Sequence, residues 1–181
     1  PVFWLKIGRL HITRLGHLTM NTELFLRRRQ LGIHPDGPFY CFLAGPFQLA
    51  NHPLCNRQLL NMYKRVIPVS ESRILTAVYM GMLPILKWTP FYQHTNMLMN
   101  EYYEFNNAKP SLSFTPDEIE KGRKLLNEMN VDLDKNGYVC IYARDRAYLK
   151  ALDPIINWDY SNFRNPDKID SLIEASKYLI N

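Results

Sequence analysis

The sequence has little cysteine, and its three cysteines stand far apart. Cys41, Cys55 and Cys140 form no CxxC pair and no cysteine–histidine spacing of the kind that binds a metal. Their number is odd, and no disulfide framework of the secreted type is indicated. We therefore expect a reduced chain in the cytoplasm, without a cysteine–histidine metal site.

Long hydrophobic runs are also missing. The longest apolar stretch, 74–86 (ILTAVYMGMLPIL), is shorter than the roughly 20 residues that a membrane-spanning helix needs, and it contains Pro84. No cleavable signal pattern opens the chain. The sequence thus argues against a transmembrane anchor and leaves open contact with the inner face of a membrane.

The composition is that of a folded, mildly basic protein. Its 181 residues are 46% hydrophobic and 13% aromatic, which excludes wholesale disorder. The length suits one domain, or one domain with part of another. A net charge of +5 favours phosphate-bearing ligands. Nucleic acid is not expected as a partner, because the basic residues are scattered and do not alternate with aromatic residues along a strand.

The first half predicts alternating strands and helices. Strands are predicted at 3–14, 38–43 and 65–69, and helices at 17–31, at 56–64 and after a cap at Ser70. Gly32 is a fitting stop for the first helix. This order indicates an α/β fold, a Rossmann-like parallel sheet with helices on both faces.

The second half is less regular. We interpret 87–109 as an irregular crossover or a linker between lobes. A capped helix is predicted from Thr115, with a buried stripe of Ile119, Leu125, Leu126 and Met129. A turn at 136–137 then leads to a buried strand at 138–143. The final helix follows 165–166 and turns four residues inward, namely Ile169, Leu172, Ile173 and Leu179.

Both ends of the sequence suggest a piece of something larger. The chain begins at Pro1 without a methionine, and it ends at Asn181 directly after a helix that follows a strand. In an α/β protein such a helix normally leads to a further parallel strand. We expect a longer native protein, or a partner subunit that supplies the rest.

The first candidate site is the turn at 14–17 (RLGH), between the first strand and its helix. A helix N-terminus offers free backbone N–H groups, and Gly16 lets a ligand approach closely. Arg14 adds positive charge, and His17 is suited to general-base chemistry near neutral pH. Asn21 and Glu23 are expected to point outward one turn later. The alternative is an ordinary strand-to-helix turn with a histidine cap.

The second candidate site comprises charged residues after the strand at 138–143. Arg144 is suited to gripping a diphosphate with Asp145 orienting it, and Tyr148 lies close by in sequence. Arg164 is placed to reach the same anion. Asn165 precedes a proline and is also explained as a helix cap. The alternative for Arg144 and Asp145 is a surface ion pair.

Other polar motifs have simpler explanations. Asp132 and Asp134 match a two-carboxylate motif that binds a divalent metal ion, but they lie in a predicted turn rather than at a strand end. The triplet Arg27, Arg28 and Arg29 ends a helix, where we interpret it as a solvated face whose charges offset the helix dipole. His34 and His52 stand beside prolines without companion ligands.

The sequence as a whole resembles a bacterial family of surface-polysaccharide glycosyltransferases. The segments 14–18 (RLGHL), 21–24 (NTEL) and 26–29 (LRRR) are similar to that family's opening pattern, RIGHL followed by NTELYLRRR. The segments 143–149 (ARDRAYL), 160–165 (YSNFRN) and 175–179 (ASKYL) look like its second block. Together these segments span nearly the whole chain in order.

The resemblance implies a metal-independent hexosyl-type transferase of the two-lobed GT-B arrangement, which uses a nucleotide sugar as substrate and needs no cofactor. Residues 1–109 would form the acceptor lobe, 110–136 a linker, and 137–181 the first strand–helix unit of an incomplete donor lobe. Arg14, Gly16, Asn21 and Glu23 would bind a glycan or lipid-linked acceptor, and His17 would be the catalytic base. Arg144, Asp145, Tyr148, Arg164 and Asn165 would bind the diphosphate of a nucleotide sugar. The alternative is a non-catalytic lobe that binds a glycan or a partner chain.

Overall fold

A computed structural model describes residues 5–34, 39–45, 54–95, 102–131, 138–140, 150–151, 154–155, 157, 173 and 176–178. The chain divides into two compact units, Pro1–Pro116 and Asp117–Asn181. They are described separately below. The predicted lobes at 1–109 and 137–181 stay predictions.

A small parallel sheet forms the centre of the first unit. Its strands are β1 (Leu5–Arg9), β2 (Phe39–Leu43) and β3 (Val69–Ser70), in the order β1-β2-β3. In the register of β1 and β2, Gly8 lies opposite Phe42. A Cβ atom on Gly8 would lie 2.7 Å from the Phe42 ring, so the close approach of these two strands requires a glycine here.

The predicted first and third strands had the wrong bounds. The first was expected to run to residue 14, but β1 ends at Arg9 and a turn at 12–14 leads into the first helix. The third was expected at 65–69, but β3 lies at Val69–Ser70. The reason is that Val66 and Ile67 still donate backbone hydrogen bonds to the Tyr63 carbonyl, which extends the end of the preceding helix.

The first three helices agree well with the sequence prediction. They are α1 (Leu15–Gln30), α2 (Arg57–Lys64) and α3 (Arg73–Leu86). After α1, Gly32 adopts a φ of 68°, the left-handed conformation predicted for a helix stop. The cap of α3 is Ser72 instead of the predicted Ser70, because Ser70 is the last residue of β3.

The helices cover both faces of the sheet, as predicted. The ring of Phe25 in α1 packs against Tyr40 and Phe42, which share one face of β2. Helix α2 lies on the same side, because the Tyr63 hydroxyl donates to the Thr19 carbonyl of α1. Arg9, next to Gly8 in β1, points to the opposite face and contacts α3.

The core lies between α1, α2 and the sheet. It joins apolar side chains from all three elements and from the loops between them, and four of its members, Leu18, Phe42, Leu60 and Tyr63, are at most 1% exposed. Burying a side chain of this size stabilises the fold by about 1.5–3 kcal/mol. This core fixes α1, and therefore the turn that opens it, relative to β1.

The segment after α3 is more ordered than the predicted linker. The Ile7 amide donates to the Phe91 carbonyl, and the Gln93 amide donates to the Ile7 carbonyl. Tyr92 thereby forms a parallel bridge with β1, on the side away from β2. A short helix, α4 (Tyr102–Asn107), then packs against α1. Local composition did not predict this order because both contacts are with distant parts of the chain.

The second unit agrees with the sequence only in part. Helix α5 (Pro116–Glu128) is confirmed, but three of the four residues of its predicted buried stripe are exposed: Ile119, Leu125 and Met129 are 46–64% exposed, while Leu126 is half-buried. The described part of the strand predicted at 138–143, residues 138–140, is exposed and is not a strand. Ile173, expected to face inward, is 45% exposed. An apolar pattern shows which face favours burial but not what covers it.

Candidate ligand site at the carboxyl edge of the sheet

The topology of the first unit marks one place where ligands bind in open α/β sheets. From β1 the chain passes through α1 to β2 on one side, and it later returns through Tyr92 to the other side of β1. The order in which the chain adds strands therefore reverses between β1 and Tyr92. In such folds the crevice outside the carboxyl ends of the strands, at this reversal, is the usual binding site.

The predicted turn at 14–17 lies at this carboxyl edge. Arg14 is the N-cap residue of α1 in an extended conformation, and its side chain makes no capping hydrogen bond. The first backbone bond runs from the Leu18 amide to the Arg14 carbonyl at 2.9 Å. A Cβ atom on Gly16 would meet nothing within 4 Å, so packing does not require this glycine. The space beside Gly16 is therefore open.

A second histidine, which the sequence analysis did not single out, accompanies His17. The rings of His11 and His17 lie 5.9 Å apart between centroids. Partial burial of the ring, together with the positive charges of His11 and Arg14, lowers the pKa of His17. His17 is thus neutral near pH 7, the protonation state that a general base needs. The sequence analysis missed His11 because it placed this residue within a first strand running to residue 14, whereas β1 ends at Arg9.

Arg9, at the end of β1, is another cation that the sequence analysis missed. It is half-buried, and its Nη1 lies 3.5 Å from the sulfur of Met80 in α3. Burial and the neighbouring Tyr92 raise the pKa of Tyr79 to about 12, so this phenol stays neutral beside Arg9. Among the described residues, no carboxylate pairs with Arg9. These groups do not all lie together, however: Arg9 faces α3, whereas Arg14, His11 and His17 lie at the start of α1.

Asn21 and Glu23 do not point outward as predicted. Asn21 is 5% exposed, and its Oδ1 has no hydrogen-bond partner among the described residues. Glu23 accepts hydrogen bonds from Arg27 Nε and from the Ser111 amide. The reason is that α1 is covered by the sheet on one side and by the segment of α4 on another, so few of its positions face solvent. Their assignment to acceptor binding stays a prediction.

The arginine triplet is not a solvated face. Arg27 is 7% exposed and donates to the carbonyls of Phe105 and Ala108, at 2.9 and 2.7 Å. Arg28 forms an ion pair with the buried Glu104 at 2.7 Å, which lowers the pKa of that carboxyl group. Only Arg29 is exposed. Arg27 and Arg28 therefore hold α4 against α1, through contacts with residues more than 70 positions away in the sequence.

The second predicted site lies outside the described residues. This applies to Arg144, Asp145, Tyr148, Arg164 and Asn165, and also to Asp132 and Asp134. Within the described part of the chain, no three histidine, cysteine, aspartate or glutamate residues are grouped so that they could hold a metal ion. No helix in the described residues has the length and apolar character needed to cross a membrane.

Comparisons of the chain with protein-family models, with curated proteins and with solved structures find no match.

Proposed function

We propose that the chain is a glycosyltransferase, or the acceptor-binding part of one, that transfers a sugar from a nucleotide sugar to a glycan precursor. The observation that carries the proposal is the group of His11, Arg14 and His17 at the carboxyl edge of a parallel sheet. This group lies next to the point where the strand order reverses. The likeness of the sequence to surface-polysaccharide glycosyltransferases supports the same reaction, as does the α/β fold. We also propose that the native protein has the GT-B arrangement of two lobes.

In the proposed reaction, an acceptor hydroxyl attacks the anomeric carbon of the donor sugar. The bond from that carbon to the diphosphate oxygen breaks, and the diphosphate leaves with the electron pair. An imidazole nitrogen of His17 takes the proton of the attacking hydroxyl. A lowered pKa keeps His17 neutral for this role, and a positioned base of this kind contributes about 10²–10⁴-fold to a rate.

In the proposed reaction, Arg144 and Arg164 stabilise the leaving group. Negative charge grows on the leaving diphosphate during the reaction, and guanidinium groups stabilise it most effectively when they bind in the bidentate geometry that suits phosphate. Asp145 would orient Arg144, while Tyr148 and Asn165 would contact the same donor. No metal ion is required in this scheme.

A thermal-shift panel tests the donor site. GDP, UDP, CDP, CMP and their sugars are added to the wild type, to Arg144→Ala and to Lys150→Ala, which removes an exposed cation six positions away. We expect one nucleotide to raise the melting temperature of the wild type and of Lys150→Ala but not of Arg144→Ala. If none of the nucleotides shifts the wild type, the chain has no donor site, and the proposal of a complete transferase is replaced by an acceptor-binding part or a non-catalytic binding lobe.

A further inference from the structure

Helix α3 turns an apolar face outward. Apart from Arg73 at its start, every exposed position of the helix carries an apolar or small residue. The five large members of this face are 52–76% exposed: Ile74, Leu75, Val78, Met82 and Ile85. We call these five residues the α3 face.

The α3 face is one continuous stripe. At 100° per residue, its five members fall within about 100° of one another around the helix. The opposite side, with the buried Thr76 and Tyr79, packs toward the sheet. A surface helix of a water-soluble domain normally shows the reverse arrangement, with its polar side outward. A contiguous exposed apolar patch of this kind marks a contact with another apolar phase.

The charges around the α3 face select among the possible contacts. Residues 73–91 contain no aspartate or glutamate, and the exposed cations Arg73 and Lys87 stand at the two ends of the helix. If two copies paired along this face, antiparallel helices would bring Arg73 against Lys87, and parallel helices would bring each cation against itself. Self-association therefore places like charges together, whereas an anionic surface neutralises both ends.

Two aromatic residues extend the face beyond the end of the helix. Trp88 is 91% exposed and Phe91 is 47% exposed. Tryptophan is enriched at the interface between lipid headgroups and acyl chains, where its ring is partly apolar and its N–H stays hydrated. The helix has 14 residues, so it is about 21 Å long, which is too short to span a bilayer but sufficient to lie in its surface.

We propose that α3 docks in the plane of an anionic bilayer, with the α3 face and Trp88 at the acyl boundary and with Arg73 and Lys87 on the lipid phosphates. The exposed apolar side supplies the burial, and the two terminal cations supply the preference for anionic lipid. A bilayer would be bound in this way whether or not the chain transfers a sugar.

Vesicle flotation of the full chain tests the proposal. The probes are vesicles of phosphatidylcholine alone and of phosphatidylcholine with phosphatidylglycerol, at low and high salt. The test variant is Ile85→Glu, and the matched control is Ile119→Glu, an exposed isoleucine on α5. Circular dichroism melts of both variants establish that they are folded, as expected for exposed positions.

We expect the wild type and Ile119→Glu to float with the anionic vesicles, more weakly at high salt and with neutral lipid. Ile85→Glu should lower the apparent partition constant about tenfold or more, because it places a charge in the acyl boundary. The proposal is overturned if the wild type does not float, or if Ile85→Glu floats as the wild type does. It is also overturned if light scattering shows a wild-type dimer that Ile85→Glu dissociates while vesicle binding is absent.

Discussion

Replacing Arg27 by methionine should strongly destabilise the first unit. The guanidinium group donates to Glu23 at 2.8 Å and to the carbonyls of Phe105 and Ala108, and it lies 4.6 Å from the centroid of the Phe105 ring. Its side chain is 9% exposed and that of Glu23 is 12% exposed, so water screens the pair only weakly. Methionine retains the apolar stem and removes all of these polar contacts.

The magnitude follows from what the substitution leaves behind. Removing one member of a buried ion pair costs about 3–5 kcal/mol, because the remaining charge stays buried without compensation. Glu23 keeps one hydrogen bond, from the Ser111 amide, which places the expected loss toward the lower end of that range. The free energy of unfolding should therefore fall by about 3 kcal/mol.

Urea unfolding followed by circular dichroism measures this loss. The matched control is Arg29→Met, two positions further along α1, where the side chain is exposed and lies over the Tyr40 ring. We expect the control to stay within about 0.5 kcal/mol of the wild type, as is usual for surface substitutions. If Arg27→Met lowers the free energy of unfolding by less than about 1 kcal/mol, Arg27 does not hold α1 and α4 together. The prediction of a solvated arginine face would then be correct.

Three further perturbations test other parts of the structure. Gly45→Ala should destabilise by about 1–3 kcal/mol in urea unfolding, because its Cβ would lie 2.6 Å from the Ser72 carbonyl oxygen and would collide with the Thr76 hydroxyl, whereas Gly16→Ala, with nothing within 4 Å, should be neutral or stabilise by up to about 1 kcal/mol; equal effects would contradict the packing. Tyr63→Phe removes the 3.0 Å hydrogen bond to the Thr19 carbonyl and should cost about 1 kcal/mol, and an unchanged unfolding midpoint would speak against that bond. The pKa of His17 is lowered from 6.5, so the unfolded state takes up its proton first as the pH falls; the wild type should lose stability below pH 6.5 relative to His17→Gln, with no such difference above it, and a difference of the opposite sign between pH 5 and pH 8 would show that the pKa is raised.

The elements with strong local signals were predictable from the sequence. Helix α1 combines an apolar side, with Leu18 and Phe25 fully covered, and a glycine stop at Gly32, and both signals depend only on neighbouring residues. The position of His17 at the start of that helix followed from the same pattern. The parallel arrangement of the sheet followed from the alternation of strands and helices.

The features that depend on distant contacts were not predictable. Nothing near Arg28 in the sequence indicates that it forms an ion pair with Glu104. A cluster of three arginines at a helix end is therefore predicted to be exposed to solvent. Likewise, the pairing of Tyr92 with β1 is set by the return of the chain past α3 and not by its own composition. Asn21 was expected to face solvent. Helix α4 packs on a second side of α1, and the apolar periodicity of α1 does not show this contact.

The most direct test of the proposed function is release of free nucleotide from a panel of nucleotide sugars, measured by mass spectrometry with the full chain. We predict that the wild type releases the nucleotide from one donor and that His17→Gln does so about 10²–10⁴-fold more slowly. Circular dichroism establishes that the variant is folded. Release from no donor, or equal release by wild type and His17→Gln, would contradict the assignment of His17 as the base of a sugar transfer.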